Sequence, residues 1–280
     1  MISQKNRLRH AFTMLELIFA IVILGIVASI GAEVITQTFE SYIIQRAQYR
    51  ANIKTELALN QIANRLRYAI PGTVGARDTL ASPYIRMEVV TDDEMNVLQW
   101  VGYDGDSFEA ITSAADRRPG WSGFCDVDAS SSTAISTPGS NLALANTIIG
   151  NLGGTVNRAQ LYFADNGALS YGVANVAGEI ITMNGTGIPP GTLIPERYKL
   201  AWSSYALEVD ANGDLLLHHH FDPTAGVAIA NDTSTLLLHD VTNFRFKYSG
   251  GAFRLKLCKE EQISDNAAQT LHACKEKVIF

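Results

Sequence analysis

Residues 9–35 read RHAFTMLELIFAIVILGIVASIGAEVI. Residues 17–32 form sixteen positions without a charge, and 12–15 carry the apolar run backward across a single acid, Glu16. At 1.5 Å per residue, 12–35 as a helix measures about 36 Å, enough for the roughly 30 Å hydrocarbon layer of a bilayer. Lys5, Arg7 and Arg9 precede the run, while the first charges after it are Glu33 and Glu40. The positive-inside bias therefore sets the amino terminus in the cytoplasm and the body outside. A carboxylate at the centre of a membrane helix costs about 2.5–3.5 kcal/mol on insertion scales, so an acid within such a run is read first as functional.

An ordinary secretory signal also begins basic and continues apolar, and Ala28-Ser29-Ile30-Gly31-Ala32 offers a small-x-small cleavage site behind the run. Glu16 has no purpose on that reading. The stretch Arg9-His10-Ala11-Phe12-Thr13-Met14-Leu15-Glu16-Leu17 instead resembles the class III prepilin signature of type IV pilin-like proteins. In that signature a small residue, usually Gly, precedes Phe-Thr-Leu-x-Glu and a long apolar helix; Ala11 stands here where Gly is usual.

The resemblance implies that a prepilin peptidase cuts between Ala11 and Phe12 on the cytoplasmic face, removes residues 1–11 as a leader and N-methylates Phe12. It also implies an assembly role for Glu16, whose carboxylate meets the new Phe12 amine of a neighbouring subunit, because both charges are costly in an apolar setting unless paired. The bland alternative is a Glu that sits at the headgroup level. Further implied partners are other pilin or pseudopilin subunits through the helix, an inner-membrane assembly platform and membrane lipid, with a cytoplasmic ATPase supplying the energy of extraction. The place implied is a single pass in a bacterial inner membrane with a periplasmic globular domain, and no cofactor.

Residues 236–248, LLLHDVTNFRFKY, together with the size of the chain, resemble the larger minor pseudopilins of type II secretion, in particular the J type; the K type typically lacks the acid corresponding to Glu16. Three functions stay open. The chain is a pseudopilin of a secretion filament, with a place in its tip complex; or a minor pilin of a type IV pilus or DNA-uptake pseudopilus; or a signal-anchored periplasmic binding protein that never polymerises.

Between Phe12 and Ile70 only Gly25 and Gly31 interrupt good helix formers, and Pro71-Gly72 gives a stop, so one helix is expected over 12–70. Its membrane half is 12–35 and its amphipathic half 36–70. Phe39, Tyr42, Ile43, Ala47, Ile53 and Leu57 form one apolar stripe, Leu59, Ile62, Leu66 and Ile70 a rotated one, and both are expected to pack under a sheet. From 71 to 280 the pattern changes to short alternating segments divided by Gly, Asn, Asp and Ser, as antiparallel strands require. Strands are expected at 84–90, 97–103, 159–164, 200–209 and 215–221, the last two joined through Asn212-Gly213. A hairpin through Gly250-Gly251 joins 244–248 to 253–257. Residues 129–141 read as a surface loop. The fold class is α+β: a long amino-terminal spine helix, its first half transmembrane, packed on an antiparallel β-sheet domain, with each strand burying a face against the spine.

At 280 residues and 47% hydrophobic the chain has enough apolar side chains for a proper core. Setting aside Lys5, Arg7 and Arg9, 19 basic residues face 28 acidic ones, which offers no nucleic-acid footprint. Cys125, Cys258 and Cys274 are too few for a disulfide scaffold and lack zinc spacing. In an oxidising periplasm a Cys258–Cys274 bridge, closing a fifteen-residue loop, contributes about 3 kcal/mol; pairing of Cys125 with either is the competing option.

His218, His219 and His220, with Asp222 and His239 available, are the most tempting metal motif. In an alternating strand, however, His218 and His220 face one side and His219 the other, so no metal is assigned. Asp210-Ala-Asn212-Gly213-Asp214 has a flavour of a calcium loop but lacks the downstream bidentate Glu, and an Asn-Gly hairpin accounts for it. The sequence has no nucleophile elbow, phosphate-cradling loop or H-E-x-x-H helix, so no catalytic residue is assigned and the chain is not read as an enzyme.

Overall fold

The computed structural model describes residues 13–90, 95–163, 169–185, 187–189, 191–192, 194–229, 233–263 and 270–279. The chain divides into two units, Met1–Tyr49 with Gln262–Leu271, and Arg50–Glu261 with His272–Phe280. Its long helix, α1 (Met14–Leu66), has 53 residues. Two shorter ones are α2 (Gly105–Glu109) and α3 (Leu142–Asn151). The strands are β1 (Gly75–Arg77), β2 (Ile85–Arg86), β3 (Val97–Gly102), β4 (Ala134–Ser136), β5 (Gln160–Phe163), β6 (Ser170–Ala177), β7 (Ile180–Met183), β8 (Tyr198–Ala201), β9 (Ser203–Val209), β10 (Leu215–Phe221), β11 (Ser234–Leu238), β12 (Val241–Ser249), β13 (Ala252–Gln262) and β14 (Thr270–Ile279). They build three sheets, ordered β11-β10-β9-β3-β1-β2, β4-β7-β6-β5-β8 and β12-β13-β14.

The layout is α+β, a long apolar helix on antiparallel sheets. Helix α1 stops before Pro71. Tyr68 N–H donates to Arg65 O and Ala69 N–H to Leu66 O, which tightens the last turn, and Ile70 N–H then bonds Val101 O at 2.9 Å. A neighbouring strand takes over the backbone hydrogen bonds before the proline has anything to interrupt.

In the second unit Leu59, Ile62 and Leu66 of α1 share a core with Leu98 and Trp100 of β3, Leu207 of β9, Leu215 and Leu217 of β10, and Phe244, Phe246, Leu255 and Leu257 of β12 and β13. The rotated stripe is thus buried, as expected. The first stripe is not, apart from Ala47, which is fully buried. Phe39, Tyr42, Ile43, Ile53 and Leu57 stay 38 to 64% exposed, because the side chains that reach this core, Ala58, Leu59, Ile62, Ala63 and Leu66, lie on another face of the helix.

The five-stranded sheet also departs from expectation. It keeps a core of its own, in which Leu161, Val173, Ile181 and Leu200 meet Leu142 and Ile149 of α3, and that cluster contains no residue of α1. Segment 200–209, expected as one strand, is split at Trp202 between β8 in this sheet and β9 in the six-stranded one. Gly154 makes room for the Trp202 ring, since a Cβ there would stand 2.4 Å from it. Residues 129–141 are likewise more than a loop. They contain β4, whose Ile135 is buried and pairs with Ile181 of β7. Of 84–90, only β2 pairs, and Met87–Val89 is a 3-10 turn that buries Met87. Residue 164, the expected end of the strand realised as β5, lies outside the described residues.

Strand β3 is buried along its whole length, so both of its faces need cover. Gln99 within it and Arg77 at the end of the neighbouring β1 are two buried polar side chains. Arg77 Nε donates to Gln99 Oε1 at 2.8 Å, Arg77 Nη2 to Gly226 O and Val227 O at 2.8 Å, and Gln99 Nε2 to Val227 O at 2.9 Å. These bonds hold the segment after β10 over the sheet and satisfy groups that would otherwise be orphaned.

A second buried cation joins α1 to β13. Lys259, 2% exposed, donates to His239 O, Asp240 Oδ2 and Glu260 O at 3.0–3.1 Å and lies 3.1 Å from Glu261 Oε2. Glu261 in turn lies 3.8 Å from Arg50 Nη2 and 3.7 Å from Lys54 Nζ of α1.

Arg77→Ala leaves Gln99 Oε1 and Gly226 O without their donor, and should lower the free energy of unfolding by about 3 kcal/mol. Urea denaturation measures it against Arg86→Ala, whose exposed guanidinium predicts a change within about 0.5 kcal/mol.

Candidate functional site

Helix α1 opens on a reciprocal pair. Thr13 N–H donates to Glu16 Oε2 at 3.1 Å, the Thr13 hydroxyl donates to the same oxygen at 3.0 Å, and Glu16 N–H donates to Thr13 Oγ1 at 3.3 Å. Leu17 N–H bonds Thr13 O at 3.2 Å. This is a capping box, in which a Thr before the helix and a Glu three residues later satisfy amide groups that the first turn leaves without partners. The Thr-x-x-Glu spacing was there to be read in the sequence, but Glu16 interpreted only as an intersubunit partner leaves Thr13 without a role.

The box suits a carboxylate held at the head of an apolar helix. Two donors and the positive end of the helix dipole meet the charge within the chain. Only Oε2 is engaged by the box, and the lone pairs of Oε1 provide further acceptor capacity for a cation. Ala11 and Phe12, the expected cleavage and methylation positions, lie outside the described residues.

Behind Glu16 every residue to Arg46 is exposed. From Leu17 to Ile35 the large apolar side chains are 53 to 71% exposed, on all sides of the helix. A water-facing surface rarely carries a contiguous apolar patch beyond a few hundred Å², and a helix apolar all round belongs in lipid or among other helices. Among the described residues, α1 alone is long and apolar enough to cross a membrane.

Residues 6–32 match the family model of the prokaryotic N-terminal methylation motif. The chain carries the prepilin signature of type IV pilin-like proteins. The matched prepilin segment covers the Ala11-Phe12 junction, the Thr13–Glu16 box and the apolar run as far as Ala32. No curated protein and no solved structure matches the chain.

Elsewhere in the chain, Cys258 on β13 and Cys274 on β14 are joined at 2.10 Å. Cys125 is a buried free cysteine whose Sγ lies 3.4 Å from Ser130 Oγ. Burial pushes its thiol pKa up, which leaves little reactive thiolate.

The histidines go separate ways. His218 Nε2 lies 3.3 Å from Glu208 Oε2, His219 Nε2 3.1 Å from Thr235 Oγ1, and the His220 ring packs on Trp202 with centroids 5.0 Å apart. Alternation breaks after His219, where β10 shifts register against β9 and His220 takes φ +64°. The expected sharing of one side by His218 and His220 is therefore corrected, and the His219 and His220 rings instead stand 4.4 Å apart, edge to face. Desolvation first, then the Arg65 charge, holds the His220 imidazole below its ordinary pKa.

Asp222 caps its own turn by accepting from Thr224 N–H, and His239 Nδ1 lies 2.8 Å from Asp214 Oδ1. Asp210 Oδ1 accepts from Asn212 N–H and Asp214 N–H, the arrangement of a hairpin turn, with Gly213 at φ +81°. Among the described residues no group of three or more His, Cys, Asp or Glu is arranged to hold a metal.

Thiol counting tests the cysteine pairing. The native oxidised chain should give no rapid maleimide adduct, the unfolded oxidised chain one, and the unfolded reduced chain three. Two or more thiols in the unfolded oxidised chain would exclude the bond in solution.

Proposed function

We propose that this chain is a minor pilin or pseudopilin, a structural subunit of a periplasmic filament in a type II secretion system. Prepilin peptidase removes residues 1–11 between Ala11 and Phe12 and methylates the new amine. The helix stays in the inner membrane as a single pass, with its start at the cytoplasmic face and the globular domain in the periplasm. Assembly moves it into a bundle of like helices. The observation that carries this reading is Glu16, held on Thr13 within the methylation motif at the head of a helix whose apolar surface is exposed on every side.

Each feature has a task in that account. Before assembly the capping box satisfies the Glu16 carboxylate in a setting where an unpaired charge costs several kcal/mol. During assembly the Phe12 amine of a neighbour comes to Glu16, and the pair sets the axial register of the two helices. The apolar surface exchanges lipid contacts for helix contacts without facing water. Phe39, Tyr42 and Ile43, beyond the length needed to cross the hydrocarbon layer, gain cover from neighbouring subunits. The work is mechanical, with energy from the assembly platform and its ATPase. Secretion, as opposed to a pilus or DNA uptake, and a place in the tip complex rest on the resemblance of residues 236–248 to J-type pseudopilins.

Mass spectrometry of the chain from cells that contain prepilin peptidase should find an amino terminus at methylated Phe12. A chain that retains Met1, or one trimmed near Ala32, would exclude this processing. Glu16→Ala should leave cleavage and membrane insertion intact while sheared-filament fractions lose the subunit; normal incorporation of the variant would remove Glu16 from the assembly step.

A further inference from the structure

Past the length that crosses a hydrocarbon layer, α1 still carries exposed aromatic side chains. Phe39 is 64% and Tyr42 60% exposed. With Arg46 they stand at i, i+3 and i+7, which is one face of a helix. Arg46 is exposed too, and its guanidinium makes no ion pair or hydrogen bond among the described residues. On the membrane reading lipid ends near Ile35, so this face is left for water or for protein.

The second unit holds a cavity of matching character. It is open, about 350 Å³, and lined by Asn64 and Arg65 of α1, Tyr68 just past its end, Tyr103 and Asp106 around the start of α2, and Tyr205 of β9. Two glycines make room for its walls. A Cβ on Gly105 would stand 2.3 Å from the Tyr68 ring, and one on Gly102 2.7 Å from the Tyr205 ring. The charges in it are segregated. Arg65 lies over the Tyr205 ring at 5.5 Å and Lys199 over the Tyr103 ring at 4.8 Å, while the Tyr68 hydroxyl donates to Glu109 Oε1 at 3.1 Å and Asp106 follows the glycine under that ring. The Asp106 carboxylate makes no ion pair or hydrogen bond among the described residues. Tyr and Arg are also the residues that dominate binding hot spots.

We infer that this cavity receives the face of Phe39, Tyr42 and Arg46 from a second copy of this chain, with Arg46 at Asp106 and Glu109 and the Tyr42 ring among the three tyrosines. The inference deepens the filament reading and rests on it. Arg46 and Asp106 each lack a countercharge within their own chain, so the contact gives both what the free subunit does not. Twenty-two residues separate Tyr42 from Asn64, about 33 Å of helix. Two copies side by side in one bilayer have no such offset, and the four residues between Phe12 and Glu16 amount to only about 6 Å. The contact therefore belongs to a subunit lifted out of the membrane, against a neighbour other than the one that meets Glu16, and it favours the filament over the membrane pool. Face and cavity are different surfaces, so the contact repeats head to tail instead of closing a dimer. A small anion fits less well, because Asp106 and Glu109 stand in the cavity alongside Arg65.

The test uses the full chain in cells that assemble the filament, with the photoreactive p-benzoylphenylalanine in place of Tyr42. After irradiation, digested filaments should contain residue 42 joined to a peptide from 61–68 or 103–106, read by mass spectrometry. Residues 42 and 64 are too far apart on one helix to join within a copy. Arg46→Glu and Asp106→Lys should each reduce the linked yield at least about tenfold. A chain with both changes should restore it, since every copy then presents the reversed pair. Arg67→Glu, exposed and outside the cavity, should leave the yield unchanged. Melting temperatures close to that of the parent chain confirm that each variant folds.

Filaments that contain the chain without this link, or with a link indifferent to Arg46→Glu, overturn the contact and leave the filament reading standing. A link from residue 42 only to another polypeptide overturns it as well, and so does a link formed equally in membranes that carry no filaments. Should the chain be absent from sheared filaments, the filament reading itself fails and the contact falls with it.

Discussion

A carboxylate at the head of a helix long and apolar enough to cross a membrane must find donors, and the first turn of that helix is built around this requirement. Glu16 finds them first in its own helix, from the amide and hydroxyl of Thr13. Those bonds cost nothing in reach, since a capping box needs only the geometry of one helical turn. They also leave acceptor capacity, so a carboxylate that is tolerable alone remains able to take a cationic partner. Were the acid fully enclosed, it would be a structural feature only; were it bare, the helix would sit in lipid at a steep cost.

Everything C-terminal to that turn serves two different demands on one helix. Through Arg46 the helix is exposed throughout, and its apolar side chains have no partner from the described chain. From Ala58 to Leu66 its small and aliphatic residues enter the core beneath β3, β9 and β10. In the stretch between, Ala47 and Ala51 are buried, and Glu261, held by Lys259, lies beside Arg50 and Lys54. The five-stranded sheet is built separately around α3, which gives the globular domain surface and loops that the spine does not constrain.

How much of this was legible depends on whether the signal was local. The apolar run, Glu16 and the Phe-Thr junction are contiguous, so composition and order sufficed. The hairpin through Gly250-Gly251 was equally plain, because alternation and turn chemistry are short-range. The capping box was legible and overlooked, its Thr-x-x-Glu spacing hidden behind the more conspicuous acid. By contrast, the split at Trp202 rests on a ring filling the space above Gly154, and the His220 irregularity on a register shift between two strands; neither leaves a mark in the period of the sequence.

The sequence by itself determined the α+β class, the membrane-length apolar helix and the prepilin signature, because each is a property of consecutive residues obeying one period or one motif. Only the tertiary structure decided which stripe of the helix is buried, that the five-stranded sheet has its own core, that Arg77 of β1 bonds Gln99 of β3, and that Arg245, Lys247, Arg254 and Lys256 form one array. The physical reason is distance along the chain. Residues such as Arg77 and Val227 are brought together by pairing and packing, and the chemistry of a contact is absent from the sequence until the register that creates it exists.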